Sequence, residues 1–175
     1  MIQNANRNGE LKIRISGLSE GHHEYHFSSE PSLIGLDDNF QKPVEVLAQL
    51  EKTSRQFYVK VAINSTGRFQ CDRCLEEFHL PISTDYKMCY VYTGPETSRY
   101  PVDEIQMITP DAAFIDLKED VRQMIILSIP LKLLCSESCK GLCPKCGMNW
   151  NHHTCSCKEE ITDPRLQDLK DLLHS

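Results

Sequence analysis

The chain has no apolar run approaching the ~18 residues that a membrane-spanning helix requires. Its first residues, MIQNANRNGELKIRI, contain no apolar stretch of the kind found in a secretory leader. These absences give the expectation of a cytoplasmic, unanchored protein with no membrane partner. Surplus positive charge is also missing: 19 Lys and Arg face 25 Asp and Glu, a formal net charge of -6. Nucleic-acid affinity comes largely from cations neutralising phosphates, so a general nucleic-acid binder is disfavoured, although a local patch could still hold RNA. Familiar catalytic signatures are absent too. There is no HExxH helix and no deaminase-type H-x-E with a matching cysteine pair. The expectation is a non-enzymatic protein without a small-molecule substrate.

Cysteine is what the chain does have. Six of its nine cysteines lie in CSESCKGLCPKCGMNWNHHTCSC, from Cys135 to Cys157, and a CxxC stands upstream at Cys71 and Cys74. Together these make eight thiols, enough for two four-thiolate sites, with Cys89 left over. In a reducing compartment such a pattern means metal more often than disulfides. Zinc leads, because it takes tetrahedral thiolate sets without redox change. An iron–sulfur cluster competes, but the spacing does not match the standard ferredoxin runs. Each four-thiolate zinc site carries a net charge of about -2, so two would take the chain from -6 to about -10.

Hydrophobic periodicity places these cysteines on a β framework. Leu11, Ile13 and Ile15 alternate with polar residues, and His23 to Phe27 follow a turn at residues 17–21. Residues 30–42 read as loop or short helix. Val44, Val46, Ala48 and Leu50 share one face, as do Phe57, Val59, Val61 and Ile63, with a hairpin connection over residues 52–55. Phe78, Leu80 and Ile82 alternate, and Tyr86, Met88, Tyr90 and Tyr92 form another stripe, read as sheet packing. Period-2 patterns joined by short turns predict an antiparallel sheet with one wet face. Residues 94–111, with three prolines, read as a long loop. Asp116 and Glu119 have capping-box spacing, and a helix follows near 116–129 until Pro130 stops it. In that helix Leu117, Val121, Met124 and Ile125 set the apolar stripe, which Ile126, Leu127 and Ile129 widen. Asp163 and Pro164 open a C-terminal amphipathic helix carrying Leu166, Leu169, Leu172 and Leu173.

The fold class expected is mainly β (α+β), an antiparallel sheet or partial barrel with one packing helix and a C-terminal zinc knuckle. The expected organisation is a β domain over 1–130, a cysteine-rich zinc-binding segment over 131–160, and the terminal helix over 161–175.

Cys143-Pro144-Lys145-Cys146-Gly147 is the strongest local signal. In such a knuckle both sulfurs converge on one metal and backbone N–H groups face the thiolates. Glycine after the second cysteine admits the positive φ of the turn. Cys155 and Cys157 can supply the other half-site, with His152 and His153 as possible substitutes. Two pairings remain open for Cys71 and Cys74: with Cys135 and Cys139, or with Cys143 and Cys146. Either way a closed four-thiolate set leaves no coordination position for water or substrate, so the metal is expected to replace missing core. Cys71 and Cys74 lack the βαβ context of a thioredoxin-type redox pair. Cys89 reads as an inert thiol within a strand, and His22 and His23 as solvated turn residues.

Residues 61–82, VAINSTGRFQCDRCLEEFHLPI, and 115–130, IDLKEDVRQMIILSIP, followed by KGLCPKCGMNWN and CSC, resemble the YceD-type family tied to accumulation of large-subunit ribosomal RNA. The resemblance covers roughly residues 10–157, and the order of its pieces is more specific than any one of them. It implies a non-enzymatic role in ribosome biogenesis and carries over to Cys71, Cys74, Cys143, Cys146, Cys155 and Cys157. It also implies that some members lack the C-terminal cluster but keep the first CxxC and a pair near Cys135 and Cys139, which favours the first pairing. Trp150 departs from the usual aliphatic residue and could offer an exposed aromatic contact.

The expected binding surface is the knuckle, with Lys140, Lys145, Asn149, Trp150, Asn151 and His152. The partner expected is large-subunit rRNA or a ribosomal protein in an assembly intermediate. The alternatives are a zinc- or redox-responsive thiol protein and a zinc-ribbon protein-binding module.

Overall fold

Strand-forming periodicity dominates the architecture. The computed structural model describes residues 2–4, 9–54, 56–93 and 105–157. Among these residues eight strands and two helices follow in chain order: β1 (Ile2–Asn4), β2 (Lys12–Arg14), β3 (Gly21–Ser29), α1 (Pro31–Ile34), β4 (Val44–Lys52), β5 (Gln56–Gln70), β6 (Glu77–Tyr92), β7 (Ile105–Ile108), β8 (Phe114–Asp116) and α2 (Lys118–Leu127). Six of the strands form one open sheet, ordered β1-β3-β4-β5-β6-β7, and β2 pairs with β8 in a second, small sheet.

The expected antiparallel sheet is therefore found, with one refinement. Its central ladders β3–β4, β4–β5 and β5–β6 are antiparallel, but β1–β3 and β6–β7 are parallel. The sheet is mixed and open rather than a partial barrel. Val44, Val46, Ala48 and Leu50 of β4 and Phe57, Val59, Val61 and Ile63 of β5 all face a dry interior. Ile13 and Ile115 join them from the small sheet with Leu11 and Ile15 flanking β2, as do Val121 and Ile125 from α2 and Leu117 from its N-cap. The two stripes read separately at residues 78–82 and 86–92 belong to one continuous strand, β6.

Three local expectations are corrected. Residues 105–108, read as part of a long loop, form β7 against the end of β6, while 94–104 lie outside the described residues. No capping box forms at α2. Asp116 is still in β8, held by Lys12 across the ladder, so the helix starts two residues later. The Asp116 carboxylate accepts from the Lys118 N–H at 2.9 Å, and Glu119 turns along the helix to Arg122 and Gln123. Ile126 and Leu127 do not widen the buried face; both are exposed, because they fall outside the arc set by Leu117, Val121 and Ile125. Ile129 does pack on the core. The helix expected from Asp163 and Pro164 lies outside the described residues.

Two features position the cysteines. β5 and β6 pair over their full length, down to Gln70 opposite Glu77, so Cys71 and Cys74 sit at the tip of a long hairpin. After α2, the chain returns to that tip. The Asp72 N–H donates to the Leu133 carbonyl at 2.8 Å, and the Leu133 N–H donates to the Asp72 carboxylate at 2.7 Å. This reciprocal latch delivers Cys135 and Cys139 to the hairpin.

Candidate metal centre

Each CxxC is a knuckle whose own backbone prepares a thiolate. The Leu75 N–H donates to the Cys71 carbonyl at 2.9 Å, and the Gly147 N–H to the Cys143 carbonyl at 2.9 Å. Gly147 has φ 72, the positive value that the knuckle requires, and Leu75 has φ 60 at the equivalent place. At Cys71, burial opposes charge, but the N–H groups of Cys135, Cys74 and Arg73 outweigh it and bring the thiol down to about 6. At Cys143, the N–H groups of Cys146 and Lys145 dominate over burial and bring it to about 6 as well. Converging N–H groups stabilise anionic sulfur before any metal arrives.

The knuckles each meet a second pair. Cys71, Cys74, Cys135 and Cys139 form one tetrad, and Cys143, Cys146, Cys155 and Cys157 the other, with the sulfurs of each lying within 4.8 Å of one another. Of the two arrangements left open by the sequence, the structure assembles the first. Within the first tetrad, Cys71 and Cys139 sulfurs stand 3.8 Å apart, and those of Cys74 and Cys135 3.6 Å apart. A tetrahedral ion with Zn–S bonds of about 2.3 Å separates its sulfurs by about 3.8 Å. A disulfide would need about 2.05 Å. The donor set therefore fits one tetrahedral ion per tetrad, and all nine cysteines are free thiols.

The two tetrads differ in surroundings. Cys71, Cys74 and Cys139 are buried and Cys135 is the least covered of its four, with Phe78, Leu134 and Leu142 packed around them. In the second tetrad Cys143 is buried, Cys155 half-buried, and Cys146 and Cys157 exposed. One thiol of each set resists ionisation. Burial and then the sulfurs of Cys74 and Cys139 push Cys135 up to about 12, while the Cys146 sulfur and then burial push Cys157 up to about 12. A divalent cation removes that penalty, because it attracts all four sulfurs at once.

Side chains around the tetrads complete the centre. The Arg73 guanidinium donates to the Cys139 carbonyl at 2.8 Å, and Gly141, at φ 78, passes against the Arg73 backbone where a Cβ would stand 3.1 Å from its carbonyl oxygen. The Cys74 thiol donates to Glu76 at 3.8 Å, and the other Glu76 oxygen bonds His152 Nε2 at 2.9 Å. Asp72, Arg73 and Glu76 were not singled out by the sequence, and no local signal marks them, since their partners lie about sixty or more residues away. Histidine does not replace cysteine in either tetrad: His152 and His153 are exposed loop residues.

Of the six residues of the expected binding surface, Lys140, Trp150, Asn151 and His152 line one shallow hollow, and the six are not equally available. Lys140, Lys145 and His152 are exposed. The Asn149 side-chain oxygen accepts from the Asn151 N–H at 2.9 Å. Trp150 is half-buried and its indole N–H donates to Cys155 Sγ at 3.3 Å, rather than standing free as an aromatic contact. Elsewhere, Cys89 is a half-buried thiol in β6 that burial keeps protonated. His22 is exposed beside Glu51 at 3.8 Å, and His23 Nε2 bonds the Ser19 carbonyl at 2.9 Å.

The sequence profile of the family described as large ribosomal RNA subunit accumulation protein YceD matches residues 59–173, from β5 through both tetrads. The Bacillus subtilis protein YlbN is 28% identical over 146 residues, covering 83% of each chain. An Arabidopsis thaliana protein, large ribosomal RNA subunit accumulation protein YCED homolog 1, chloroplastic, is 37% identical over 63 residues, 36% of this chain and 20% of that protein. Its Zea mays counterpart is 47% identical over 45 residues, 25% of this chain and 15% of that one. No solved structure matches. With its β5–β6 knuckle, its C-terminal cysteines and a profile match spanning both, the chain belongs to the YceD family of large ribosomal RNA subunit accumulation proteins.

Proposed function

We propose that this protein supports accumulation of the large ribosomal RNA subunit as a non-catalytic assembly factor, held in shape by two structural zinc ions. The observation that carries the reading is the pair of closed cysteine tetrads in a chain of this family. Cys71, Cys74, Cys135 and Cys139 would hold one ion, and Cys143, Cys146, Cys155 and Cys157 the other. Bound zinc would supply cross-linking strength in place of apolar core, and four protein thiolates leave no position for an activated water. Zinc is favoured over a multi-iron cluster because sulfurs 3.6 and 3.8 Å apart surround a single ion and leave no room for several. Reduced thiolates suit the cytoplasm, where the protein would act.

The contact surface proposed is the knuckle side carrying Lys140, Lys145, Asn149, Trp150, Asn151 and His152. Asn149, Trp150 and Asn151 would hold its shape, and the exposed Lys140, Lys145 and His152 would meet an rRNA or ribosomal-protein partner in an assembly intermediate. The test is depletion in the source cell. The ratio of large- to small-subunit rRNA is expected to fall, and the tagged protein to co-sediment with large-subunit precursors on a gradient. Rescue is expected from the wild-type chain but not from Cys71→Ser/Cys74→Ser. An unchanged rRNA ratio together with no co-sedimentation would refute the reading.

A further inference from the structure

We propose that Trp150 and Asn151 couple the two tetrads, so that metal bound in one strengthens metal binding in the other. The inference rests on the reading of the tetrads as metal sites. Asn151 belongs to the loop between Cys146 and Cys155, which the second tetrad must order in order to close. Its side chain, however, reaches the first tetrad: Nδ2 donates to Cys139 Sγ at 3.3 Å, and Oδ1 accepts from the Lys140 N–H at 2.8 Å. Trp150 makes a second pair of bonds, and this pair spans the two tetrads. Its indole N–H donates to Cys155 Sγ at 3.3 Å in the second tetrad, and its backbone N–H donates at 2.9 Å to the carbonyl of Gly141, just past Cys139. Two consecutive residues thus each hold one sulfur and one backbone group: the sulfurs lie in different tetrads, and both backbone groups, at Lys140 and Gly141, follow Cys139 directly.

The consequence is thermodynamic. Four thiolates around a divalent ion carry a net charge of about -2, and an N–H aimed at sulfur stabilises that excess charge. Such outer donors also fix the direction in which the thiolate presents its lone pairs. The donors are in place only when the 147–154 loop is folded. Binding in the second tetrad orders this loop and sets the Asn151 amide on Cys139, so the first tetrad no longer bears that ordering cost. Linkage makes the effect reciprocal: metal in the first tetrad must favour the second by the same factor. The loop is stiffened for this task, with the Asn149 carbonyl accepting from the N–H groups of His152 and His153 at 3.3 and 3.0 Å.

The experiment uses the reduced, metal-free full chain titrated with zinc against a competing chelator, and with cadmium followed by cadmium NMR. The wild type is expected to take up two equivalents in one cooperative transition, with two tetrathiolate cadmium signals rising together. Asn151→Asp keeps the acceptor for Lys140 but loses the donor to Cys139. It is expected to weaken the first tetrad about 10- to 100-fold, split the transition and shift the first-tetrad signal more than the other. Trp150→Phe, which removes only the indole N–H, is expected to do the converse. Two equivalents bound independently by the wild type would overturn the coupling. So would a Cys155→Ser/Cys157→Ser chain whose first tetrad kept native affinity. A chain that bound neither zinc nor cadmium would instead overturn the metal reading beneath it.

Discussion

Leu75 and Gly147 occupy the same place in their knuckles and bear opposite strains. Each follows the second cysteine of a CxxC and closes the same backbone turn. Leu75 is the single non-glycine residue with positive φ among the described residues. That conformation costs an L-residue roughly 1–2 kcal/mol, while placing glycine in a folded chain costs about 0.5–1 kcal/mol of backbone entropy. Leu75→Gly is therefore expected to stabilise the metal-loaded protein by about 0.5–1 kcal/mol. Gly147→Ala is expected to destabilise it by about 1 kcal/mol. No atom lies within 4 Å of the added methyl at residue 147, so the loss there comes from conformation rather than from a clash. Thermal denaturation of both variants checks the pair. A loss of stability in Leu75→Gly would mean that the half-exposed leucine makes contacts worth more than its strain.

At the scale of elements, the β5–β6 hairpin carries the first tetrad and depends on close packing near its tip. Gly67 pairs with Leu80, and a Cβ there would stand 2.4 Å from the Phe69 ring and 3.3 Å from Phe40. Those rings meet edge to face at 6.0 Å. Gly67→Ala must push Phe69 away from Phe40, an overpacking expected to cost about 1–3 kcal/mol in chemical denaturation. A second element-scale prediction concerns α2 on β6 and β7. Burial raises the Asp120 carboxyl above its ordinary 3.8, although Gln106 and the Tyr90 hydroxyl donate to it. A carboxyl raised in the folded state adds stability below its unfolded value and loses it as pH rises through the folded value. Asp120→Asn should therefore be more stable than wild type at neutral pH, with the advantage vanishing below pH 3.8. Denaturation at both pH values measures it. Such elements show why parts of the fold were legible and others were not. The alternation in β4 and β5 reports a dry face through residue identity alone, so their strands and buried positions could be read directly. β7 has only four residues and exists through a parallel ladder to β6, which no local pattern announces. Asp116 looks like a cap by spacing, but its ladder partner Lys12 lies more than a hundred residues away. The cysteines were legible as candidate ligands by type, yet spacing allowed two pairings, because the latch of Asp72 to Leu133 that brings Cys135 and Cys139 to the hairpin is a tertiary contact.

Across the whole molecule, apolar packing is divided unevenly between the sheets and the cysteine tetrads. The main core joins both sheets and α2 through many fully buried side chains, while among the described residues the apolar side chains packed around the first tetrad are Phe78, Leu134 and Leu142. Structural zinc in small modules contributes about 10–16 kcal/mol of apparent binding free energy, comparable with the 5–15 kcal/mol that stabilises an entire domain. Three partly buried side chains supply at most a few kcal/mol against that. Metal should thus decide whether residues 131–157 are ordered, and packing should decide whether the sheet is. Under reducing conditions, a strong chelator is expected to release both ions and to abolish amide protection over residues 131–157. β4 and the central part of β5 should keep most of theirs. The hairpin tip at residues 71–76 should open with the first group, because the Arg73 and Cys74 N–H groups face sulfur, that of Asp72 faces the returning chain, and those of Cys71 and Leu75 bond within the turn itself. Hydrogen exchange followed by mass spectrometry distinguishes the outcomes. Equal loss of protection everywhere would mean that metal binding and sheet folding form one cooperative unit. Unchanged protection over residues 131–157 would mean that packing alone holds the cysteine segment.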